Sequence, residues 1–109
     1  MTTDYNTDLK LFINGSWRVG EGRDCASVVN PATGDAIAQV PLATAADLDA
    51  ALDAAQTAFA QWRAVDVDAR AAILHKAAGL IRERADLIAT LLTREQGKPL
   101  VEARGEVAS

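Results

Sequence analysis

Cys25 and His75 are the first residues to consider as reactive groups, because each is the only member of its type in the 109-residue chain. A cysteine activated by an imidazole is a common nucleophilic pair. The acidic Asp24 beside Cys25 disfavours a thiolate, and a single cysteine excludes an internal disulfide and a cysteine-rich metal site. We therefore expect Cys25 to be non-catalytic and His75 to lie on the surface of a helix.

Lys98, Glu102 and Glu106 form a second candidate group near the carboxyl end. Glu102 and Glu106 would share one face of a helix, where paired carboxylates could bind a cation or transfer protons. Arg104 nearby favours a solvated face instead, and a lysine at a helix end is normally a capping charge. No HExxH, CxxC or GxxxxGK[ST] pattern occurs, so no metal site or P-loop is predicted. We expect the chain by itself to be inert as an enzyme.

Composition favours one soluble globular unit or part of one, since 50% of the residues are hydrophobic and 24% are charged. A net charge of -4, with acids and bases interleaved, excludes a nucleic-acid footprint. The amino terminus lacks the blocks of a signal peptide, and no apolar run approaches the roughly 20 residues of a membrane span. We expect a cytoplasmic protein with no nucleic-acid partner and no membrane partner.

Two β-hairpins are predicted, over residues 11–19 and 27–40. The first turns at Asn14-Gly15, which favours a type I′ turn because both central residues need positive φ. The second turns through Pro31, which presets φ, and Gly34, which supplies a positive φ. Both segments therefore predict antiparallel strand pairs.

The two glycines of Gly20-x-Gly22 have the first spacing of a dinucleotide-binding loop. Neither a third glycine nor a helix is predicted to follow them. A dinucleotide fingerprint is therefore not expected at this point of the chain.

Helical spacing of apolar residues begins after Thr44, which forms a capping-box pattern with Asp47. Asp66 or Asp68 can cap a second helix, and a third helix is predicted over residues 86–95. The stripe predicted for the first helix comprises Leu48, Ala51, Leu52, Ala55, Phe59 and Trp62. The buried face predicted for the second helix comprises Ile73, Leu74, Ala77, Leu80 and Ile81.

The last segment predicts a helix end and an immediate restart. Gly97 can close a helix in the left-handed conformation, and Pro99 is tolerated in a first helical turn. Ten residues follow Pro99, fewer than the roughly 12–15 that an isolated helix needs in water. We therefore expect the chain to depend on further structure beyond its carboxyl end.

The order of five motifs along residues 10–109 resembles the amino-terminal region of the aldehyde dehydrogenase superfamily. These motifs are LFINGSW, VVNPATGDAIAQVP, AAQTAFAQWRA, DVDARAAILHKAAGLIRERADLI and LLTREQGKPLVEARGEV. Within the superfamily, EQGKPLVEARGEV is most similar to the bacterial succinate-semialdehyde dehydrogenases. The resemblance implies an α/β fold in which two β-hairpins are followed by three to four packed α-helices, as an incomplete part of the cofactor-binding domain. Residues 1–9 are expected to be a disordered or extended terminus.

The resemblance also implies a reaction, the oxidation of an aldehyde, succinate semialdehyde by similarity, with NADP or NAD as cofactor. In that superfamily a cysteine attacks the aldehyde, hydride passes to the nicotinamide, and a glutamate activates water. Those residues belong to later segments, so no residue here is assigned as catalytic or cofactor-binding, and no cofactor is expected to bind this chain alone. The implied partners are the remainder of an aldehyde dehydrogenase chain, a small aldehyde and, for the complete enzyme, a homo-oligomer.

A monovalent cation site is a further implication of the resemblance. Some superfamily members hold the cation through backbone oxygens of the pair preceding Asn-Pro, which would be Val28 and Val29, with an acidic residue near Glu106. The contrary class of function is a non-catalytic helical interaction module, whose apolar helix faces dock on a partner. In either case we expect exposed apolar surface when the chain is made alone.

Overall fold

The computed structural model describes residues 7–19 and 22–109 as four short strands followed by four helices. The strands are β1 (Leu11–Ile13), β2 (Ser16–Arg18), β3 (Cys25–Val29) and β4 (Ala36–Pro41). The helices are α1 (Ala45–Ala64), α2 (Val67–Glu83), α3 (Ala85–Gln96) and α4 (Leu100–Ala108). Both hairpins and the helical order are thereby confirmed. The terminus expected over residues 1–9 falls largely outside the described residues, as do Gly20 and the residue after it.

The β1–β2 hairpin turns at the predicted Asn-Gly pair. Asn14 has φ 50° and Gly15 has φ 73°, so both central residues are left-handed, as a type I′ turn requires. The strands pair antiparallel, and Phe12 lies opposite Trp17 with 4.7 Å between their ring centroids. These rings contact each other but remain more than half exposed.

The β3–β4 hairpin carries an irregularity at its turn end. Val28 pairs with Ala38 but Val29 pairs with Ala36, so the register shifts between the two valines. The Asn30 backbone N–H donates to the Asp35 carbonyl at 2.9 Å and closes the turn. The hairpin therefore bends just before the Asn-Pro pair.

The helix starts follow the predicted caps. The Thr44 hydroxyl accepts a hydrogen bond from the Asp47 backbone N–H at 3.2 Å, and the Asp47 carboxylate accepts from the Thr44 backbone N–H at 2.8 Å, which completes a capping box. At α2 the cap is Asp66, whose carboxylate accepts from the Asp68 backbone N–H at 3.0 Å. Arg84 joins α2 to α3 without a side-chain cap.

The predicted break between α3 and α4 is confirmed. Gly97 has φ 78°, and its N–H donates to the Thr93 carbonyl at 2.8 Å. Pro99 directly precedes α4. Ala89 of α3 and Ala103 of α4 have no exposed surface, and α4 packs on α3 through such small residues. None of the helices in the described ranges combines the length and hydropathy needed to cross a membrane.

The prediction of which face of α2 is buried is wrong for this chain. Among the described residues, the only buried hydrophobic ones are Ala38, Ala89 and Ala103. The α2 residues that are half-buried are Arg70, Ala71, Ala78 and Gly79. All five residues of the predicted face are exposed: Ile73, Leu74, Ala77, Leu80 and Ile81. The physical reason is that α2 lies against α3 and α4 with a different face, on which Ala71 and Ala78 become half-buried.

Candidate functional site

The most deeply buried polar side chain in the described part of the chain is Asp47, which is 2% exposed. Arg18 Nη1 donates to Asp47 Oδ1 at 2.7 Å, and Arg23 Nη2 donates to the same oxygen at 3.0 Å. Arg23 Nη1 also donates to Oδ2, which accepts from the Thr44 hydroxyl at 2.9 Å. One carboxylate thus connects the end of β2, the segment before β3 and the first turn of α1.

The electrostatics of this cluster keep Asp47 ionised. The hydrogen bond from Arg23 is the largest cause that holds the pKa of Asp47 well below its usual range, followed by the backbone of Thr44 and by Arg18, while burial opposes them. The same hydrogen bond raises the pKa of Arg23. A carboxylate whose oxygens are all occupied by donors cannot take up a proton near neutral pH. Asp47 is therefore a structural anchor.

The role of the two arginines was not predicted from the sequence. The capping-box pattern correctly assigned Asp47 to Thr44, three residues away. Arg18 and Arg23 are 29 and 24 residues from Asp47, and nothing in a local pattern identifies their partner. One sequence feature pointed to further partners. Asp47 stands where a capping box usually has Glu or Gln, and its shorter side chain leaves carboxylate lone pairs free to accept from other donors.

The turn between β3 and β4 contacts the break between α3 and α4. A Cβ added to Gly97 would lie 2.9 Å from Cγ of Pro31 and 3.7 Å from its Cβ. The Asn-Pro motif and the Gly-Lys-Pro motif therefore meet in space.

Lys98, which precedes α4, forms an ion pair with Glu106 in the last turn of that helix. Arg104 Nε donates to Asp86 Oδ1 at 2.9 Å and ties α4 to the first turn of α3. Lys98 was expected to act as a capping charge, but its ammonium donates to the Glu106 carboxylate. Glu102 lies on the same helix and is exposed. The structure thus pairs Glu106 with a lysine.

Cys25 and His75 lie on separate elements, β3 and α2, and both are exposed. Cys25 Sγ lies 3.7 Å from the Arg23 carbonyl, to which it donates. Within residues 7–19 and 22–109, no hydrogen bond joins the cysteine to the histidine. The structure therefore does not bring Cys25 and His75 together as a nucleophile and its base.

The residues of the expected cation site are placed as follows. Val28 and Val29 lie in β3 at the register shift, and Glu106 lies on α4, where Lys98 neutralises it. No group of three or more His, Cys, Asp or Glu side chains that could hold a metal occurs in the described ranges. The cation site on Val28, Val29 and Glu106 stays a prediction.

Two buried side-chain atoms have no hydrogen-bond partner among the described residues, Arg70 Nε on α2 and Thr93 Oγ1 on α3. An unpaired buried donor is unusual in folded proteins, because it loses its bonds to water and gains none. Arg70 was part of a family-like motif in the sequence, but its lack of a partner becomes visible only in three dimensions.

Known proteins match this chain along nearly its whole length. N-succinylglutamate 5-semialdehyde dehydrogenase of Burkholderia mallei (strain SAVP1) is 49% identical over 100 residues, which are 92% of this chain and 20% of that protein. The crystal structure of succinate-semialdehyde dehydrogenase from Burkholderia pseudomallei superposes with a TM-score of 0.86 at 41% identity, over 92% of this chain and 21% of that one. An E. coli NADP dependent enzyme superposes with a TM-score of 0.88 at 41% identity, over 97% and 22%.

Both the order of the sequence motifs and these similarities to known proteins point to one family. The chain spans about a fifth of the length of the curated relatives it matches. The described strands and helices reproduce the amino-terminal region of their fold. The model of the aldehyde dehydrogenase family matches residues 17–109, and the chain therefore belongs to that family.

Proposed function

We propose that this chain is the amino-terminal part of an NAD(P)-dependent aldehyde dehydrogenase that oxidises a semialdehyde carrying a carboxylate. The observation that carries the proposal is the 49% identity to an N-succinylglutamate 5-semialdehyde dehydrogenase over 92% of the chain. The structural likeness to a succinate-semialdehyde dehydrogenase supports the same substrate class. Succinate semialdehyde is the proposed substrate, N-succinylglutamate 5-semialdehyde is the first alternative, and the cytoplasm is the proposed location.

The part played by this segment is structural. Asp47 ties both hairpin regions to α1 through two guanidinium groups, and Pro31 packs against Gly97. These contacts hold the hairpins, the start of α1 and the break between α3 and α4 in place within the segment. Cys25 and His75 lie on separate elements, and we expect the chain alone to have no turnover.

The Gly-x-Gly spacing that ends at Gly22 does not fit a dinucleotide-binding loop. Gly22 is followed by β3, so its backbone leads into a strand and not into the helix N-terminus on which a dinucleotide pyrophosphate rests. When bound elsewhere in such an enzyme, the nicotinamide accepts the hydride removed from the substrate. We expect this chain to contribute no residue to that step.

The test uses the protein as its own cells make it. Antibodies against residues 10–109 would capture it for a measurement of mass and for assays with both semialdehydes and with NADP and NAD. We expect a polypeptide about five times as long as this chain, in keeping with the relatives, and oxidation of succinate semialdehyde. The recombinant 109-residue chain is the matched control and should give no turnover.

Two outcomes would contradict the proposal. Turnover by the 109-residue chain would show that an active site is present within it. A captured polypeptide of about 11.5 kDa without activity would favour the second candidate, a non-catalytic interaction module. The exposed apolar residues of α1 and α2 are the observation that keeps that candidate open.

A further inference from the structure

The two asparagines of the described ranges lie in chemically different surroundings. Asn14 precedes Gly15 at the tip of the β1–β2 hairpin, and both residues are exposed. Asn30 precedes Pro31 between β3 and β4 and is half-buried. The backbone nitrogen of the next residue can attack an asparagine side-chain amide, so the residue that follows each asparagine decides whether this reaction is open to it.

The Gly15 nitrogen is available to attack Asn14. Strand pairing joins Ile13 to Ser16, so Gly15 lies in the two-residue loop outside the hydrogen-bond ladder. A Cβ built on Gly15 meets nothing within 4 Å, so its backbone is not crowded. The Asn14 side chain makes no hydrogen bond within residues 7–19 and 22–109. Its amide carbon is therefore free to turn towards the Gly15 nitrogen.

Asn30 has none of these features. The nitrogen of Pro31 carries no proton and cannot form a neutral imide. Asn30 Oδ1 accepts a hydrogen bond from the Ala32 backbone N–H at 2.9 Å, which holds the side chain in the turn. The Asn30 backbone N–H donates to the Asp35 carbonyl at 2.9 Å. The chain thus provides its own unreactive asparagine for comparison.

The tip of the β1–β2 hairpin can open far enough for the reaction. Each of its strands has 3 residues, and a two-stranded hairpin of this size is marginally stable. Gly15 has no Cβ, so the peptide between Asn14 and Gly15 can rotate out of the turn conformation. Local opening of this exposed loop therefore costs little free energy.

We propose that Asn14 is a site of spontaneous deamidation, at which the Gly15 nitrogen displaces ammonia from the side-chain amide. A bond forms between the Gly15 nitrogen and Asn14 Cγ, the Cγ–Nδ2 bond breaks, and the proton of the Gly15 N–H leaves with the ammonia. Water then opens the five-membered imide at either carbonyl. One opening gives aspartate and the other gives isoaspartate, so the amide is exchanged for a carboxylate without an oxidant or a reductant.

This modification changes the junction between the hairpin and α1. Asn14 lines a groove together with Ala50 and Asp53 of α1, so the new carboxylate is added to a groove that already has one. The net charge of the chain becomes one unit more negative than -4. Isoaspartate also adds one carbon to the backbone of the loop, and this longer loop no longer fits a two-residue type I′ turn.

The test incubates the purified 109-residue chain in mildly alkaline, ammonia-free buffer made with heavy-oxygen water. Trypsin then releases residues 11–18, which contain Asn14, and residues 24–63, which contain Asn30. A synthetic peptide of residues 11–18 is incubated in parallel as the reference for the reaction without a fold. Mass spectrometry measures the fraction of each peptide that has exchanged an amide for a carboxylate with one heavy oxygen, and an isoaspartate-specific methyltransferase detects isoaspartate.

We expect Asn14 in the chain to convert at a rate within about tenfold of that of the free peptide, because an exposed loop opens at little cost. Asn30 should stay unconverted. On isoelectric focusing an acidic form of the chain should accumulate, and it should be absent from Asn14→Gly, which keeps a Gly-Gly pair suited to the same turn.

Three results would overturn the proposal. A rate more than about tenfold below that of the free peptide would show that the fold protects Asn14. Conversion of Asn30 as fast as Asn14 would show that the attacking Gly15 nitrogen is not the cause. An acidic form that persists in Asn14→Gly would place the modification at another residue. The proposed function is not at risk in this test, because no turnover is measured.

Discussion

Replacing Gly97 by alanine is the sharpest test of the contact between the two turns. Gly97 has φ 78° and Gly34 has φ 79°, so an alanine at either position is forced into the same left-handed conformation. The two glycines differ in their surroundings. A Cβ at residue 34 meets nothing within 4 Å, whereas a Cβ at residue 97 lies 2.9 Å from Cγ of Pro31. Gly34→Ala is therefore a matched control for backbone strain.

The expected magnitudes separate strain from contact. Left-handed backbone costs an alanine about 1–2 kcal/mol, partly offset by the lower chain entropy of the unfolded alanine variant, so Gly34→Ala should destabilise the chain by about 1 kcal/mol. Gly97→Ala carries the same strain and must also displace the ring of Pro31. Overpacking of this kind costs about 1–3 kcal/mol, so the total should be about 2–4 kcal/mol.

Urea unfolding of the purified chain, followed by circular dichroism, measures both free energies of unfolding. A double-mutant cycle with Pro31→Ala isolates the contact. In the Pro31→Ala background, Gly97→Ala should cost only about the 1 kcal/mol expected for Gly34→Ala, because the ring is gone. Equal destabilisation by Gly97→Ala and Gly34→Ala in the unaltered background would refute the inference that the two turns press against each other.

Three further perturbations test other parts of the structure. The free energy of unfolding should fall as the pH drops below about 4, because Asp47 in the unfolded chain then binds a proton while Asp47 in the folded chain stays ionised. Asp47→Asn should reduce this pH dependence, which urea titrations at several pH values would measure. Gly79→Ala, in a helical stretch where an added Cβ meets nothing within 4 Å, should stabilise the chain by about 0.5–1 kcal/mol, and a loss of stability would contradict the described packing of α2. Glu106→Gln should cost less than about 1 kcal/mol, with the cost shrinking in high salt, because its pair with Lys98 is partly exposed.

The features that could be predicted from the sequence depend on residues close together along the chain. The Asn14-Gly15 turn, the Thr44–Asp47 box and the Gly97 helix end each involve groups within four residues of one another. Such groups meet whatever the rest of the molecule does, so their residue types are sufficient evidence. The family resemblance could also be predicted, because five motifs in the same order are specific to the family although each motif alone is not.

The features that could not be predicted depend on distant partners. Arg18 and Arg23 reach Asp47 from 29 and 24 residues away, and Pro31 meets Gly97 from another turn. Periodicity states which residues share a face, but it does not state which neighbour will cover that face. The substrate also cannot be assigned from local patterns, because this chain resembles proteins named for two different semialdehydes.

The wrong prediction for α2 is itself informative about how the helix is used. Periodicity correctly grouped Ile73, Leu74 and Ile81 on one face, and the structure leaves that face exposed while Ala71 and Ala78 become half-buried on another. A helix with a small-residue face for close packing and a large-residue face for apolar contact has two surfaces to bury. The first is used within this chain. The second, which carries Ile73, Leu74 and Ile81, stays exposed in this chain.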